Sequence, residues 1–321
     1  MLQKVVIIDG FPGCGKTMLS PIVSAFNGVE MMQYAPLIEQ LCELWGLGRI
    51  EDDVAESMIK MNADVLLYNI MMGRNSNCRP KDLSSIFKHK PIKHILRMLK
   101  KGDEVIPALI EQNKPILHLT THMLLPNSKP LFNALSKKLI FIEVVRHPLY
   151  MIIQQERNFK MFEGSRNPHV RYTLDDREYS FFTKGWEDVF DESNSFEKAI
   201  YSMKWYYTKI FSNDNNDCVT IPFELFVKSP ESYLENISSL LDSSICKNVR
   251  KEMKSQKVPR KQLCDGPALD VYKKCGWTPP KYFSEESELE ARRELVANNI
   301  SDKALAVLDD ISKKYTDRYF S

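Results

Sequence analysis

The chain has 321 residues, of which 43% are hydrophobic and 27% are charged, and its formal net charge is +2. This balance is typical of a soluble globular protein, and it carries no excess of positive charge that would indicate a nucleic-acid partner. The seven scattered cysteines form no C-x-x-C pair, which favours reduced thiols in a cytoplasmic protein. We expect neither a signal peptide nor a membrane span, because no apolar run approaches the roughly 20 residues that a span needs.

The first predicted strand leads directly into a phosphate-binding loop. The stretch "VVIIDGFPGCGKTMLS" from Val5 contains G-x-x-x-x-G-K-T between a β-branched run and a helical pattern. Its glycines let successive backbone N–H groups face one anion, while Lys16 adds a positive charge and Thr17 a hydroxyl. The pattern leaves open whether a phosphate or a sulfate lies beyond the bound phosphate. The predicted loop residues are Gly10, Phe11, Pro12, Gly13, Cys14, Gly15, Lys16 and Thr17.

Strands and helices alternate along the chain. Four more short apolar runs predict strands, one near Val29 and three that end at His122, His147 and Glu224. Helical patterns at 36–45, 55–72, 128–137, 149–159 and 196–211 separate them, and the C-terminal third is mainly helical. This alternation predicts one α/β domain over residues 1–321, with a mostly parallel sheet flanked by helices. Ligands collect at the carboxyl ends of such strands, so we expect the residues there to face one cleft. Those residues are Asp9, Tyr34, His122, Arg146 and Phe223.

Three segments depart from this alternation. Residues 79–101 predict a basic amphipathic helix with Ile92, Ile95, Leu96 and Leu99 on one face. The simpler interpretation is a solvated helix over the core, and the alternative is docking on an acidic ligand or a membrane surface. Residues 158–194 lack periodicity and are rich in aromatic and charged residues, which fits either a substrate loop or a mobile surface excursion. Residues 257–283 mix basic residues with glycine and proline, as a loop would.

A phosphate loop alone is compatible with an ATP- and Mg²⁺-dependent small-molecule kinase. Such an enzyme needs an acidic residue for the metal at the end of a neighbouring strand. Asp9 and Glu39 are the candidates, since Glu143 lies inside an apolar strand where an uncompensated charge would be costly. The kinase hypothesis therefore remains open, although the sequence offers few carboxylates that could bind its metal.

Later motifs follow the loop in the order that the sulfotransferase family has them. "TTHMLLP" from Thr120 and "IFIEVVRHPLYMII" from Ile140 resemble a T-H-L-P strand end and an apolar strand that closes in R-[DNH]-P. "VTIPFELFVKSPESYLENISSLLD" from Val219 is similar to the family's strand–helix segment. "NGVEMMQYAPLIEQL" from Asn27 is similar to the strand ending in E-P-L of carbohydrate sulfotransferases. The resemblance implies a sulfotransferase-like P-loop fold from Val5 to Asp242.

The resemblance also implies a reaction. The donor would be 3′-phosphoadenosine-5′-phosphosulfate (PAPS), with no metal required, and the acceptor a hydroxyl or amine of a small molecule or carbohydrate. Lys16 would neutralise charge on the oxygen that bridges sulfate and phosphate. Arg146 matches the family's arginine for the 3′-phosphate, and a planar guanidinium suits that dianion. His122 matches the general base, and an ordinary histidine pKa of about 6.5 fits that role.

Several positions depart from the family pattern. Gly13 occupies the place of the cytosolic enzymes' loop lysine, and Gln154 that of the serine on the 3′-phosphate. Phe223 replaces the tyrosine beside the adenine and keeps its stacking face. Ala35 replaces the glutamate of E-P-L, which moves the role of base to His122 or Glu39.

Two further residues complete the predicted donor site. Arg260 and Lys261 are similar in placement to the family's C-terminal R-K-G loop over the 3′-phosphate, without its glycine. Because Ala35 and Gln154 are departures, a third hypothesis is a nucleotide-binding protein without catalytic activity.

Overall fold

The computed structural model describes residues 2–99, 102, 104–162, 169–212, 217–263 and 284–320. Its main sheet is built from short apolar segments whose side chains are almost all buried, as in the run "KVVIID" that precedes the phosphate loop. The strands of the described residues are β1 (Lys4–Asp9), β2 (Gln33–Tyr34), β3 (Ile116–Thr120), β4 (Leu139–Val145), β5 (Arg171–Leu174), β6 (Arg177–Ser180) and β7 (Cys218–Pro222).

Five of these strands form one parallel sheet in the order β2-β3-β1-β4-β7. The chain passes from β3, on one side of β1, to β4, on the other side, so the strand order reverses at β1. In parallel sheets such a reversal opens a crevice at the carboxyl ends of the strands. The phosphate loop follows β1 and therefore lies at this crevice, and the predicted α/β fold is confirmed.

Helices connect the strands and flank the sheet. The helical patterns predicted from the sequence correspond to helices whose ends differ by a few residues, the usual uncertainty of helix boundaries. The helices of the described residues are α1 (Lys16–Ser24), α2 (Pro36–Gly46), α3 (Asp52–Met72), α4 (Pro91–Met98), α5 (Ile106–Asn113), α6 (Lys129–Leu135), α7 (Pro148–Phe162), α8 (Glu187–Glu192), α9 (Ser195–Phe211), α10 (Phe223–Lys228), α11 (Glu231–Leu241), α12 (Lys247–Ser255), α13 (Glu285–Ala297) and α14 (Asp302–Tyr319).

Residues 158–194 contain more regular structure than the sequence indicated. Helix α7 continues into this segment, and β5 and β6 then pair as an antiparallel hairpin. Asp175 and Asp176 connect the two strands with φ angles of 48° and 62°. Two successive positive φ angles are typical of the type I′ turn, whose twist matches that of the strands. The hairpin arises from this turn, which an Asp-Asp pair indicates only weakly.

Helix α4 lies over the protein, but the side that it turns to the protein is its polar one. The guanidinium of Arg97 donates to both carboxylate oxygens of Glu30 at 2.8 Å, and the ammonium of Lys93 donates to one of them at 2.9 Å. Burial alone would raise the pKa of Glu30, but the hydrogen bonds and charges of these two cations outweigh it and lower the pKa to about 2. The buried ion pairs explain why the apolar side of α4 faces outward.

The remaining expectations about the chain concern its C-terminal loop and membrane spans. Of the predicted loop over the donor, residues 257–263 are described, and residues 264–283 lie outside the described part of the chain. Among the described helices, none combines the length and the apolarity that crossing a bilayer requires.

Candidate active site

The phosphate loop ends where helix α1 begins. Gly15 is the N-cap of α1, with a left-handed φ of 114°, and no side chain caps the first turn, which contains no acidic residue. The first N–H groups of a helix have no partner within the helix. The N-terminus of α1 therefore offers donors and a positive dipole end to an anion.

Close contacts require glycine at two positions of the loop. A Cβ at Gly10 would lie 2.3 Å from the carbonyl oxygen of Val144, and one at Gly15 would lie 2.3 Å from the ring of Phe223. A Cβ at Gly13 would approach the side-chain oxygen of Gln154 to 3.0 Å. All three glycines have positive φ angles, which other residues rarely adopt. The loop is thus a narrow backbone cradle with little room for side chains at these positions.

Lys16 is folded into this cradle. Its side chain is buried, and its ammonium donates to the carbonyl oxygens of Gly10, at 2.5 Å, and Phe11, at 3.3 Å. The neighbouring Cys14 is fully buried, and burial raises the pKa of its thiol to about 11. The loop therefore contains one strong cation and a neutral thiol.

Asp9, at the end of β1, fixes the segment that follows β3. Its carboxylate accepts hydrogen bonds from the Thr121 hydroxyl at 2.9 Å and from the backbone N–H groups of Leu124 and Leu125 at 2.8 and 2.9 Å. The N–H of Met123 donates to the carbonyl of Gly10 at 3.3 Å. Asp9 is completely buried, and its hydrogen bonds hold residues 121–125 beside the phosphate loop.

His122 projects from this segment and pairs with Glu39 of α2. Its Nδ1 lies 3.1 Å from a carboxylate oxygen of Glu39, and its ring stacks on Tyr34 with an interplanar angle of 16°. A carboxylate accepts hydrogen bonds, so Nδ1 is the donor, and in the neutral imidazole the lone pair is on Nε2. About a third of the His122 side chain is exposed, at 35%. This arrangement orients the His122 ring and leaves part of it exposed.

Arg146, at the end of β4, lies beside the phosphate loop between two aromatic rings. Its guanidinium carbon is 4.3 Å from the ring centre of Phe223 and 5.2 Å from that of Tyr150. One guanidinium nitrogen donates to the carbonyl of Gly13 at 3.1 Å, and the Tyr207 hydroxyl donates to the backbone carbonyl of Arg146 itself. Tyr150, which comes four residues after Arg146 in the chain, was not among the predicted site residues. Both rings lie within cation–π distance of the guanidinium.

The other predicted donor-site residues differ in what they contact and in their exposure. Gln154 contacts Gly13, as described above, and its neighbour Gln155 donates to the carbonyl of Pro12. The Arg260 guanidinium also lies over the Phe223 ring, 5.6 Å from its centre, and it donates to the carbonyls of Gln256, Lys257 and Leu263. Lys261 and Thr17 are exposed. Guanidinium groups cover the Phe223 ring, and its predicted stacking on adenine stays a prediction.

Glu143 is buried beneath the loop, where β4 pairs with Asp9 of β1. Its carboxyl group accepts a hydrogen bond from Tyr206 of α9, and burial raises its pKa well above the usual range. Burial thus favours the neutral form of the Glu143 carboxyl, which lowers the cost of a glutamate in an apolar strand. That cost is evident from the sequence, but the contact with Tyr206 is not.

A cavity of about 310 Å³ opens beside the phosphate loop. Phe11 and Pro12 of the loop line it together with Met123, and most of the other lining residues come from residues 158–202. The aromatic side chains among them are Phe159, Phe182 and Phe190. Met123 follows His122 in the chain, and His122 itself is not a lining residue. The predicted substrate segment thus contributes to a cavity that the loop and the histidine segment also line.

His169 lines the same cavity and forms a second histidine–glutamate pair, which the sequence analysis missed. Its Nδ1 lies 2.9 Å from one oxygen of Glu43, and the N–H of Val170 donates to the other oxygen at 2.7 Å. The pair ties the start of the hairpin to α2. Only the spacing of Glu39 and Glu43, one turn apart on α2, could have indicated it.

No protein-family model and no curated protein matches the chain. Among solved structures, it is similar to the sulfotransferase domain of the olefin synthase from Synechococcus PCC 7002, at 12% identity and a TM-score of 0.42, over 94% of this chain and 96% of that one. The sulfotransferase domain from the curacin biosynthetic pathway has 12% identity and a TM-score of 0.41, over 92% and 98%. A sulfotransferase from Mycobacterium avium has 11% identity and a TM-score of 0.41, over 99% and 77%.

Proposed function

We propose that this protein is a sulfotransferase that moves a sulfuryl group from PAPS to a hydroxyl or amine of a small molecule or carbohydrate. When bound, the donor supplies a sulfuryl group activated by its bond to a phosphate oxygen. The α1 N-terminus and the narrow glycine cradle fit the phosphosulfate end. Lys16 neutralises the negative charge that grows on the bridging oxygen as the S–O bond breaks.

One observation carries the proposal: Arg146 lies against the phosphate loop with its guanidinium held between Phe223 and Tyr150. Such a group provides a planar cation a short distance from the loop, as a second phosphate on the same ligand requires. ATP has no 3′-phosphate on its ribose and would not need this cation.

His122 acts as the general base. Glu39 orients the ring through Nδ1, so Nε2 is free to take the proton of the acceptor as the new S–O or S–N bond forms. The acceptor binds in the aromatic cavity beside the loop, with the hairpin of residues 171–180 as part of its wall. Rate acceleration then comes mainly from the positioning of the reactants and from charge stabilisation.

The kinase hypothesis has one supporting feature and one difficulty. Lys16 stands directly before Thr17, as in nucleotide triphosphatases, which supports ATP binding. Its two candidate metal ligands are both engaged, however. The Asp9 carboxylate accepts three hydrogen bonds in a buried position, and Glu39 is paired with His122.

Thermal-shift titrations distinguish the hypotheses, because a ligand that binds the native state raises the melting temperature. We expect adenosine 3′,5′-bisphosphate to stabilise the protein in EDTA, and Arg146→Ala to lose most of that effect. The matched control is Arg318→Ala, which also removes a guanidinium stacked on a ring, that of Phe211. Stabilisation by Mg²⁺–ATP alone would contradict the sulfotransferase hypothesis and support the kinase hypothesis. Bisphosphate binding without any sulfated product across a broad acceptor panel would indicate a non-catalytic protein.

A further inference from the structure

Helix α4 carries a row of large apolar side chains that point away from the protein. Ile92, Ile95, Leu96 and Leu99 follow the i, i+3, i+4, i+7 spacing of one helix face. Ile92 is 72% exposed and Leu99 is 78% exposed. Large exposed apolar patches on soluble proteins usually mark interaction sites. We call this set, Ile92, Ile95, Leu96 and Leu99, the apolar α4 face.

The orientation of this face is fixed by the other side of the helix. Glu30, buried beneath α4, binds the guanidinium of Arg97 through both oxygens and the ammonium of Lys93 through one. Turning the apolar side inward would separate a buried carboxylate from both cations, which is strongly unfavourable. The outward orientation is therefore part of the native structure.

The charge next to the apolar α4 face is positive. Residues 79–99 contain six basic residues and one acidic residue, Asp82. Lys81 and Lys88 are exposed, and the Lys88 ammonium donates to the Lys81 carbonyl at 2.8 Å, which brings the basic segment to the start of α4. An apolar helix face bordered by lysine and arginine matches the acyl boundary and the anionic headgroups of a bilayer.

We propose that the apolar α4 face docks on an anionic membrane surface, with α4 parallel to the membrane plane. Its aliphatic side chains insert below the headgroups, while the basic residues of 79–90 contact the lipid phosphates and carboxylates. The N–H of Glu30 donates to the carbonyl of Ile116, so α4 anchors at the start of β3. The phosphate loop follows the end of β1, at the opposite ends of the parallel strands, and docking leaves it accessible. This inference is independent of the reaction proposed above.

Vesicle flotation of the full chain tests the proposal. We expect binding to vesicles of phosphatidylcholine and phosphatidylserine in equal amounts, and little binding to phosphatidylcholine alone. The double variant Ile92→Gln/Leu99→Gln should lower the partition coefficient by about tenfold or more, because two inserted aliphatic groups are lost. The matched control Leu174→Gln/Leu295→Gln removes two exposed leucines from other surfaces and should bind as the original chain does. Lys81→Glu/Lys88→Glu should weaken binding as added salt does.

Three results would overturn the proposal. The first is no binding to the mixed vesicles, and the second is equal loss in the test and control variants. The third is a concentration-dependent dimer that Ile92→Gln/Leu99→Gln dissociates, which would assign the face to a second copy of the chain. Stabilisation by adenosine 3′,5′-bisphosphate, measured on the same variants, reports separately on the donor site and on folding.

Discussion

Helix α2 supplies two glutamates, Glu39 and Glu43, and each pairs with the Nδ1 of a histidine from elsewhere in the chain. The two pairs differ in the exposure of the histidine and in the other contacts of the paired residues. Glu43 is buried and uses its second oxygen for the N–H of Val170, while the His169 side chain is only 15% exposed. His122 is more than twice as exposed, and Tyr34 stacks on its ring. The same two residue types therefore make a closed contact in one case and a pair with a partly exposed imidazole in the other.

The largest expected difference between the pairs is in turnover. Replacing His122 with Ala should lower kcat by about 10²- to 10⁴-fold, the range that a general base contributes. Binding of adenosine 3′,5′-bisphosphate should remain, because no predicted donor contact is removed. Single-turnover kinetics with PAPS, together with a binding titration, measure both. A variant that keeps normal turnover, or that loses donor binding as well, would contradict the role of base.

The other four histidines extend the comparison to the pH dependence of stability, because burial lowers the pKa of each. Below the unfolded pKa of about 6.5, the unfolded chain binds protons that these folded histidines do not, so each one lowers stability as pH falls. The raised pKa values of buried Glu143 and Glu224 act in the opposite direction. The folded pKa values are about 3 for His89 and His118 and about 4 for His94 and His147.

Comparing the pH dependence of stability between the original chain and a single variant isolates the contribution of one histidine from these opposing ones. Replacing fully buried His118 with Gln should remove nearly one proton from the pH slope, or about 1.4 kcal/mol per pH unit, between about pH 5.5 and pH 4. Urea denaturation of both proteins at several pH values gives the slopes. Equal slopes would mean that His118 is protonated in the folded state.

The His169–Glu43 pair should matter for stability rather than for chemistry. Replacing His169 with Ala leaves Glu43 buried with one hydrogen bond fewer, and we expect a loss of about 2 kcal/mol in the free energy of unfolding. Hydrogen exchange should show weaker protection of the β5–β6 hairpin. His122→Ala is the matched control, because its pair is more exposed and should alter stability less. A drop in kcat with unchanged stability would instead give His169 a part in the reaction.

Local patterns in the sequence were sufficient for the sheet, its helices and the phosphate loop. The run before Gly10 and the glycine spacing each depend on neighbours within a few residues, and so does the strand that ends at Arg146. Contacts between residues far apart in the chain could not be predicted from these local patterns. The Arg97–Glu30 pair spans 67 positions and orients α4, and the His169–Glu43 pair spans 126 and anchors the hairpin. Such pairs leave no periodic signal, because either partner alone looks like an ordinary surface residue.

The smallest expected effect tests whether Glu39 works through His122. Replacing Glu39 with Gln keeps the size of the side chain, but an amide can offer its NH₂ as well as its oxygen to Nδ1 and so weakens the preference for one tautomer. We expect kcat to fall about tenfold, with little change in KM or stability, and the pH dependence of kcat to shift with the basicity of the imidazole. Glu43→Gln, the same change one turn along α2, should leave kcat and its pH profile unchanged. If both variants retain full activity, His122 is oriented by its stacking on Tyr34 and not by the carboxylate. If Glu39→Gln is as inactive as His122→Ala, then Glu39 itself takes the proton, since a positioning residue should be less costly to replace than the base.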